Sequence, residues 1–168
     1  MGLTLSPEKT LVTPVTGTLR FLGHHLSVRR RPSTRRLASR LVIPKDRSTR
    51  LRRTIGGIFD RSTLNETLES RLKLLNPVLR GLGHFYRHAW GAKRVFAAID
   101  HHVWWTILRW LRKKHRRLNM RDLKKQYGWH RSRQRMLRWC DGDMVPMALT
   151  SLRVVRYQQG ADPGPTYA

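Results

Sequence analysis

Positive charge exceeds negative charge by more than three to one in this chain. Lys+Arg 35 stand against Asp+Glu 10, which gives a formal net charge of +25. A compact fold with that excess repels itself unless an anionic partner neutralises it, and the usual partners are nucleic acids and acidic membrane surfaces. The hydrophobic share of 39% is below the roughly 45–50% of an average globular protein but above that of a disordered tail. We therefore expect a folded basic protein with a modest core, and not an ordinary metabolic enzyme.

The single cysteine and the hydropathy pattern narrow the kinds of site, compartment and partner that we expect. Cys140 is the only cysteine, which excludes an internal disulfide and any zinc site built on two or more thiolates of this chain, and it is typical of a reducing compartment. No apolar run reaches the roughly 20 residues that cross a bilayer, and the N-terminus lacks the charged-then-apolar pattern of a secretion signal. The sequence predicts no membrane partner, which leaves nucleic acid.

The first part of the chain has a β-like pattern. Residues 11–15 and 19–28 are apolar arms that flank a Thr16-Gly17 turn, which predicts a hairpin. Residues 29–53 then carry many Arg and Lys side chains with Asp46 as the single acid. Such a run is typical either of a solvated linker or of an arm that contacts a polyanion. Asp46 is a candidate N-cap for a helix that follows, with Leu51, Ile55 and Ile58 on its apolar side.

A second group of helical signals begins after residue 62. Thr63 and Glu66 have the spacing of a capping box, and the helix that they would open carries a leucine stripe. Asn76-Pro77 predicts that this helix ends and another begins, because Asn suits the N-cap and Pro the first helical position. The stripe of the first helix is Leu64, Leu68, Leu72 and Leu75, and the expected buried side of the second is Val78, Leu82, Phe85 and Ala89.

Two glycines interrupt the second of these helices. Gly81 and Gly83 each cost roughly 1 kcal/mol relative to Ala inside a helix, so we expect another helix or an RNA strand to approach the backbone closely there.

A long amphipathic helix is expected after Gly91, and it ends in five successive basic residues at 113–117. Cations near a helix C-terminus favour the helix dipole, but five in succession exceed what capping requires. A short helix over residues 120–127 and a final strand over residues 152–157 complete the prediction. The apolar side of the long helix is Val95, Phe96, Ile99, Val103, Ile107, Leu108 and Leu111.

Acidic residues are too scarce for most enzyme chemistry. Asp141 and Asp143 are the only close acidic pair, and an Asp-Gly-Asp tripeptide is more often a turn than a metal loop. The adjacent histidines at 101–102 cannot easily chelate one ion together, since neighbouring helical residues point about 100° apart, and those at 24–25 lie in the predicted hairpin, so both pairs are expected to be ordinary hydrogen-bonded or solvated histidines. No nucleophile elbow and no phosphate-binding glycine loop is present. The sequence predicts no catalytic residue, no metal, no cofactor and no small-molecule substrate.

Cations and aromatic residues alternate in residues 104–117 and 129–139. Arg and Lys neutralise phosphates, and exposed aromatic faces stack on unpaired bases. We expect most of the tryptophans to be core residues, because Trp104, Trp105 and Trp110 do not fit one exposed helical stripe. The electrostatic prediction of nucleic-acid binding holds even if no aromatic residue stacks.

One stretch of the chain resembles a known family. Residues 75–86, LNPVLRGLGHFY, resemble the opening motif of the maturase-specific domain, domain X, of group II intron reverse transcriptases. FAAID at 96–100, VW at 103–104 and the stretch 108–115 resemble that domain's next block in order and spacing, and residues 123–127 and 154–163 are similar to later parts more loosely. Leu82 and His84 stand where the family has Trp and Asn.

The resemblance extends upstream. GLTLSPEKT at 2–10 and FLGH at 21–24 are similar to the last palm motifs of the same reverse transcriptases. It implies a mainly α fold of the α+β type in three parts: the end of the palm with its hairpin at 1–32, thumb-like helices at 33–75, and a domain X-like part at 76–168.

Two parts of the family are missing from this sequence. The paired-aspartate metal motif of the palm lies upstream of the segment at which the sequence begins, and the cysteine-bearing endonuclease module is absent. The expectation is a truncated maturase without a polymerase centre, and so no enzyme on its own. One alternative is a C-terminal fragment of an RNA-directed DNA polymerase that works with a separately encoded palm. Another is the product of a decayed gene that does not fold alone.

The resemblance also implies a function. Such proteins bind group II intron RNA and assist its folding and splicing, while the RNA itself performs the transesterifications. A DNA target and the missing palm fragment are further candidate partners, and the expected location is the bacterial cytoplasm, with an organelle as the alternative. His84 and Tyr86 are candidate base contacts, although burial is expected for Tyr86. The candidate phosphate contacts are Arg80, Arg87, Lys93, Arg94, Arg109, Lys113, Lys114, Arg116 and Arg117.

Overall fold

The computed structural model describes residue 14 and residues 17–30, 35–131 and 137–155, and it confirms a mainly α fold of the α+β type. Four α-helices follow a small antiparallel sheet in the described ranges, and a two-stranded ribbon lies near the C-terminus. The elements in chain order are β1 (Thr18–Phe21), β2 (His24–Arg30), β3 (Leu37–Val42), α1 (Lys45–Ile58), a 3-10 turn (Arg61–Thr63), α2 (Leu68–Tyr86), α3 (Ala92–Lys114), α4 (Met120–Gln126), β4 (Trp129–Arg131), β5 (Leu137–Trp139) and a second 3-10 turn (Leu149–Ser151).

A hairpin is present within residues 18–30, and it differs from the predicted one. Strands β1 and β2 pair antiparallel around Leu22 and Gly23, whose φ angles of 44° and 76° suit the tight turn between twisted strands. The prediction that residues 19–28 form one arm was wrong, because the turn at Leu22 and Gly23 divides them between β1 and β2. Ahead of β1, the amide of Gly17 donates to the Pro14 carbonyl at 2.8 Å. Of the predicted first arm, only Pro14 lies within the described residues.

Part of the arginine-rich segment is a third strand. Strand β3 pairs with β2 from His25↔Val42 to Arg30↔Leu37, and Ala38 is buried against the protein. The amide of Trp90, just after α2, donates to the Leu41 carbonyl at 2.6 Å and ties this edge of the sheet to the helices. Residues 37–42 are therefore neither a solvated linker nor a free arm.

Helix α1 carries the predicted apolar side, with a different start. Leu51 and Ile55 are buried, as expected. The N-cap is Pro44, whose extended backbone (ψ 140°) enters the helix directly, and Asp46 lies in the first turn. Asp46 pairs with Arg20 of β1 at 2.7 Å, so its carboxylate joins sheet to helix and does not cap.

Helix α2 begins four residues later than the capping box predicted. Thr67 is the N-cap, and its hydroxyl oxygen accepts from the Ser70 amide at 3.2 Å. Thr63 instead accepts a hydrogen bond from the buried Trp110 indole at 3.0 Å, and the Glu66 carboxylate pairs with Arg71. Both side chains that a capping box would use are therefore engaged elsewhere, Thr63 by a residue of α3 and Glu66 by a residue in the first turn of α2.

Helix α2 also continues through Pro77, where the sequence predicted a break. The Asn76 amide does not cap a new helix: its nitrogen donates to the Val145 carbonyl at 3.0 Å and its oxygen accepts from the Met147 amide at 2.8 Å. Leu75 and Leu79 are both fully buried on either side of the proline. Burial of this continuous leucine face outweighs the local preference of Pro for a helix start.

The C-terminal half of α2 shows which side faces the core. Leu79, Gly83 and Tyr86 are buried, whereas Phe85 is 53% exposed, so its predicted burial was wrong. The predicted close approach is confirmed at Gly83, where an added Cβ would meet a Leu152 methyl at 2.3 Å. Gly81 has no such neighbour within 4 Å. Protein, and not RNA, fills the space at Gly83.

Helix α3 is the central element of the core. Its predicted apolar side is buried at Phe96, Ile107 and Leu111 among others. Asp100 is the one buried charged residue of those described, and its carboxylate accepts from the amides of Leu149 (2.9 Å) and Thr150 (3.0 Å). This contact fixes the second 3-10 turn on α3.

The C-terminal part differs from the sequence prediction, which included a final strand but not the ribbon of β4 and β5. Residues 152–155 form no strand, and residues 156–157 of that prediction lie outside the described residues. Asp141 and Asp143 lie in a turn, as predicted, with Asp141 bridged to Met144. Within the described ranges, no helix has the length and apolarity needed to cross a bilayer.

Candidate nucleic-acid interface

Helix α3 presents one exposed face opposite its core side. The residues of this face recur every three or four positions, so they form one line along the helix. We call it the α3 stripe: Arg94, Ala98, His101, Trp105, Arg109 and Arg112, all exposed.

An oriented aromatic ring lies in the middle of the α3 stripe. Trp105 is 43% exposed, and its indole nitrogen donates to His101 Nε2 at 2.8 Å. The Trp104 ring meets it edge-on at 4.9 Å, and Arg109 Nε donates to the Trp105 carbonyl at 3.2 Å. The ring is held by neighbours on two sides while part of its surface remains in water. Such a ring can stack on an unpaired base.

Three cations gather at the C-terminal end of α3. Residues 113–118 enclose a shallow depression of about 400 Å³, which we call the basic basin. Lys113, Arg116 and Arg117 are exposed there. The partial negative charge of the helix C-terminus stabilises these cations, so any phosphate bound in the basin is held by side chains and not by the helix end.

The other two basic residues of the basin are bound within the protein. The Lys114 ammonium donates to the carbonyls of Leu64 (2.6 Å) and Glu66 (2.7 Å) and lies 5.4 Å from the Trp110 ring centroid. His115 contacts the Tyr127 hydroxyl, and burial, with the charge of Lys114, lowers the pKa of its imidazole. Lys114 as a phosphate contact stays a prediction, with most of its donors already used.

The remaining candidates lie toward the other end of α3. Arg80 and His84 are exposed one turn apart on α2, and Lys93 and Arg94 are exposed in the first turn of α3. Arg87 is half-buried, with its Nε 3.0 Å from His88 Nε2. At 1.5 Å per residue, Arg94 and the basin are separated by roughly 30 Å along the helix. Along α3 the candidate contacts therefore extend from Lys93 and Arg94 through Arg109 to the basin, and they do not form one cluster.

Sequence reasoning missed a groove between α1 and α2. It measures about 430 Å³ and opens beneath the β1–β2 turn; we call it the α1/α2 groove. The sequence predicts Arg47 and Arg50 within the arginine-rich run and Phe85 on the buried side of its helix. The signal that could have found the groove was the three-residue spacing of the two arginines, which puts both on one face of a helix. Its lining is Gly23, Arg47, Arg50, Leu51, Thr54, Gly81, Leu82, Phe85 and Tyr86.

Helices α2, α3 and α4 and all but the first turn of α1 lie within a stretch that is similar to one sequence family. Residues 48–128 match the group II intron, maturase-specific domain. The match spans just under half of the chain and contains the α3 stripe, the basic basin and most of the α1/α2 groove. It confirms the resemblance to the C-terminal part of a group II intron maturase.

The maturase-specific match leaves other assignments as they were. It begins inside the segment predicted to be thumb, and the palm, the thumb and the three domain boundaries stay predictions. No curated protein matches the chain. Within the described residues, no three His, Cys, Asp or Glu side chains are grouped so that they could hold a metal ion.

Proposed function

We propose that this protein binds group II intron RNA and helps it fold into its splicing-competent form. The observation that carries the proposal is the position of the family match: residues 48–128 contain the exposed basic surfaces of α3 with Trp105 between them. A net charge of +25 supplies a strong attraction to phosphate that does not depend on sequence.

The arrangement of the cations supports a role in folding as well as in binding. Arg94 and Lys93 lie at one end of α3, and the basic basin lies roughly 30 Å away at the other end. Folding of a large RNA brings phosphate backbones together, and their mutual repulsion opposes it. Cations fixed on one rigid helix neutralise two such backbones at a set separation.

In the proposed mechanism, the side chains of this protein bind the RNA and orient it. The exposed guanidinium and ammonium groups contact phosphates, which fixes the register of the RNA on the protein. Trp105 stacks on a base that is unpaired in the folded RNA. The bonds that are cut and joined in splicing belong to the RNA, and the protein contributes no reacting atom.

A splicing assay tests the proposal. Group II intron transcripts are incubated at a magnesium concentration at which the RNA alone does not splice, with and without the protein. Spliced exons should appear with the wild-type protein for at least one intron of a panel, and the yield should fall for the variant K113A/R116A/R117A. Equal yields with and without protein across the whole panel would contradict the proposal.

A further inference from the structure

The α1/α2 groove has the dimensions of a small-ligand site. Its volume of about 430 Å³ is within the roughly 300–1,000 Å³ of pockets that take nucleotide-sized molecules. Gly81 contributes to the available space, since nothing lies within 4 Å of the point where a side chain would begin. The groove lies apart from the α3 stripe and the basic basin, because its lining comes from α1, α2 and the β1–β2 turn.

One wall of the groove is an exposed aromatic ring in a fixed position. Phe85 stacks on His24 at 5.0 Å with an interplanar angle of 26°, and the Tyr86 ring meets it edge-on at 4.7 Å. The buried Tyr86 hydroxyl in turn donates to the Gly23 carbonyl at 3.0 Å. Contacts on two sides hold the ring in place while 53% of the residue stays exposed.

The other wall carries positive charge. Arg47 and Arg50 lie one turn apart on α1, both are exposed, and Thr54 follows one turn later. No ion pair found among the described residues involves either arginine. The nearby Asp46 carboxylate is paired with Arg20 at 2.7 Å, so it is already neutralised. Both guanidinium groups remain available to an anion.

A scattered apolar side chain on a surface needs no explanation. Phe85 is different because its exposed ring shares a concave site with two unpaired guanidinium groups. A flat apolar ring opposite cations suits a ligand with an aromatic base at one end and a phosphate at the other. Paired bases in a duplex are stacked on one another and do not present a free face, whereas bulged and looped bases do.

We propose that the α1/α2 groove binds one unpaired nucleotide of the RNA, with its base against Phe85 and its phosphate on Arg47 and Arg50. This inference rests on the proposed function, because the nucleotide belongs to the RNA that the protein binds. It adds a site selective for unpaired residues to surfaces that recognise backbone charge.

The test uses two short RNA hairpins and the full chain. One hairpin carries a single bulged 2-aminopurine, and the other has the same nucleotide paired. The bulged hairpin should bind about tenfold more tightly, as expected for one base stacked on an aromatic side chain, and its fluorescence should change on binding. Phe85→Leu should abolish both the preference and the fluorescence change, and Arg50→Ala should weaken binding of the bulged hairpin more than that of the paired one.

Matched variants separate the groove from the general surface. Leu74→Ala removes an exposed apolar side chain of the same helix, and Arg53→Ala removes an exposed cation of α1, both outside the groove. Both variants should retain the preference. Because Phe85 packs on His24, the thermal unfolding midpoint of Phe85→Leu is measured beside its affinity, and a folded variant that keeps the full preference overturns the inference.

The remaining outcomes are equally informative. Tight binding of both hairpins without a preference overturns the groove assignment and leaves RNA binding intact. Failure of both hairpins and of intron RNA to bind overturns the proposed function as well. If adenosine monophosphate alone competes as strongly as the bulged hairpin, the site is one for free nucleotides, and the assignment to RNA is wrong.

Discussion

The basic basin and the α1/α2 groove both gather cations, but they differ in what accompanies the charge. The basin at the end of α3 exposes Lys113, Arg116 and Arg117, and no Phe, Tyr or Trp side chain lines it. The groove sets Arg47 and Arg50 opposite the exposed ring of Phe85. Charge alone attracts any phosphate backbone, whereas a ring in a concave site discriminates between paired and unpaired bases. The protein therefore offers one surface for affinity and one for selectivity.

The largest effect is expected at the basic basin. The variant K113A/R116A/R117A removes three exposed cations, and intron RNA affinity should fall on the order of a hundredfold at about 1 kcal/mol for each contact. The log-log dependence of affinity on salt should become shallower by roughly two to three units. Fluorescence anisotropy over a salt series measures both quantities.

A charge-matched variant is the control for that prediction. R30A/R53A/K125A removes three exposed cations that lie far apart in the chain and outside the basin. An equal loss of affinity in this control would show that clustering in the basin has no significance.

Substitutions of two adjacent lysines of the basin should affect different properties, one the stability of the protein and the other its affinity for RNA. Lys114→Met leaves the carbonyls of Leu64 and Glu66 without their donor, and we expect a loss of about 2 kcal/mol in the free energy of unfolding. Lys113→Met should leave that free energy unchanged and weaken RNA binding. Urea unfolding and anisotropy on both variants check this pair of outcomes, and a Lys114→Met protein of wild-type stability would refute the internal role of its ammonium.

Variants of Trp105 test whether the α3 stripe binds RNA through base stacking, as proposed for the groove, or through charge alone, as proposed for the basin. If its ring stacks on a base, Trp105→Ala should weaken RNA binding by roughly 1 kcal/mol without changing the salt slope. Trp105→Phe, which keeps an aromatic face and loses the hydrogen bond to His101, should retain most of the affinity. An effect confined to the salt slope would mean that the stripe acts through charge alone, as the basin does.

The smallest effect is a dependence of stability on pH. Burial lowers the pKa of His102, which lies near Arg52, Arg109 and His101, and of His115, which lies beside Lys114 and Tyr127. The unfolded state therefore binds more protons than the folded state, and the free energy of unfolding should fall as the pH drops below the ordinary histidine value of about 6.5. Urea unfolding at several pH values should show this fall, and it should be shallower in His115→Gln. A stability that rises on acidification would contradict it.

The helices were predictable where an apolar period extends over several turns. The core side of α3 follows from a spacing that runs from Phe96 to Leu111, and no local signal competes with it. At Pro77 a local stop signal did compete, and the buried leucines on both sides of it prevailed. The capping-box prediction was wrong because other interactions competed with the local signal. Thr63 accepts a hydrogen bond from Trp110, which is remote in sequence, and Glu66 pairs with Arg71 in the first turn of α2.

The candidate interface likewise has parts that could be predicted from the sequence and one part that could not. The exposed cations of the α3 stripe and the basin could be named from sequence because they lie in one helix and the loop after it. The α1/α2 groove could not, since it joins Arg47, Phe85 and Gly23 from three separate elements. The surroundings of Phe85 include the β1–β2 turn at Leu22 and Gly23, whereas the sequence predicts a hairpin turn six residues earlier. A local sequence pattern predicts which face of a helix is buried or exposed, but not which faces of different elements contact one another.

Competition between RNAs tests whether the protein binds group II intron RNA in preference to other RNA. Labelled group II intron RNA is bound to the full chain and displaced by unlabelled intron or by shuffled-sequence RNA of the same length, at near-physiological salt. We expect the intron to compete at least tenfold better, because its folded form presents both phosphate backbones and unpaired bases to the protein. Equal competition by the two RNAs across the panel of introns would contradict it and reduce the protein to a nonspecific polycation.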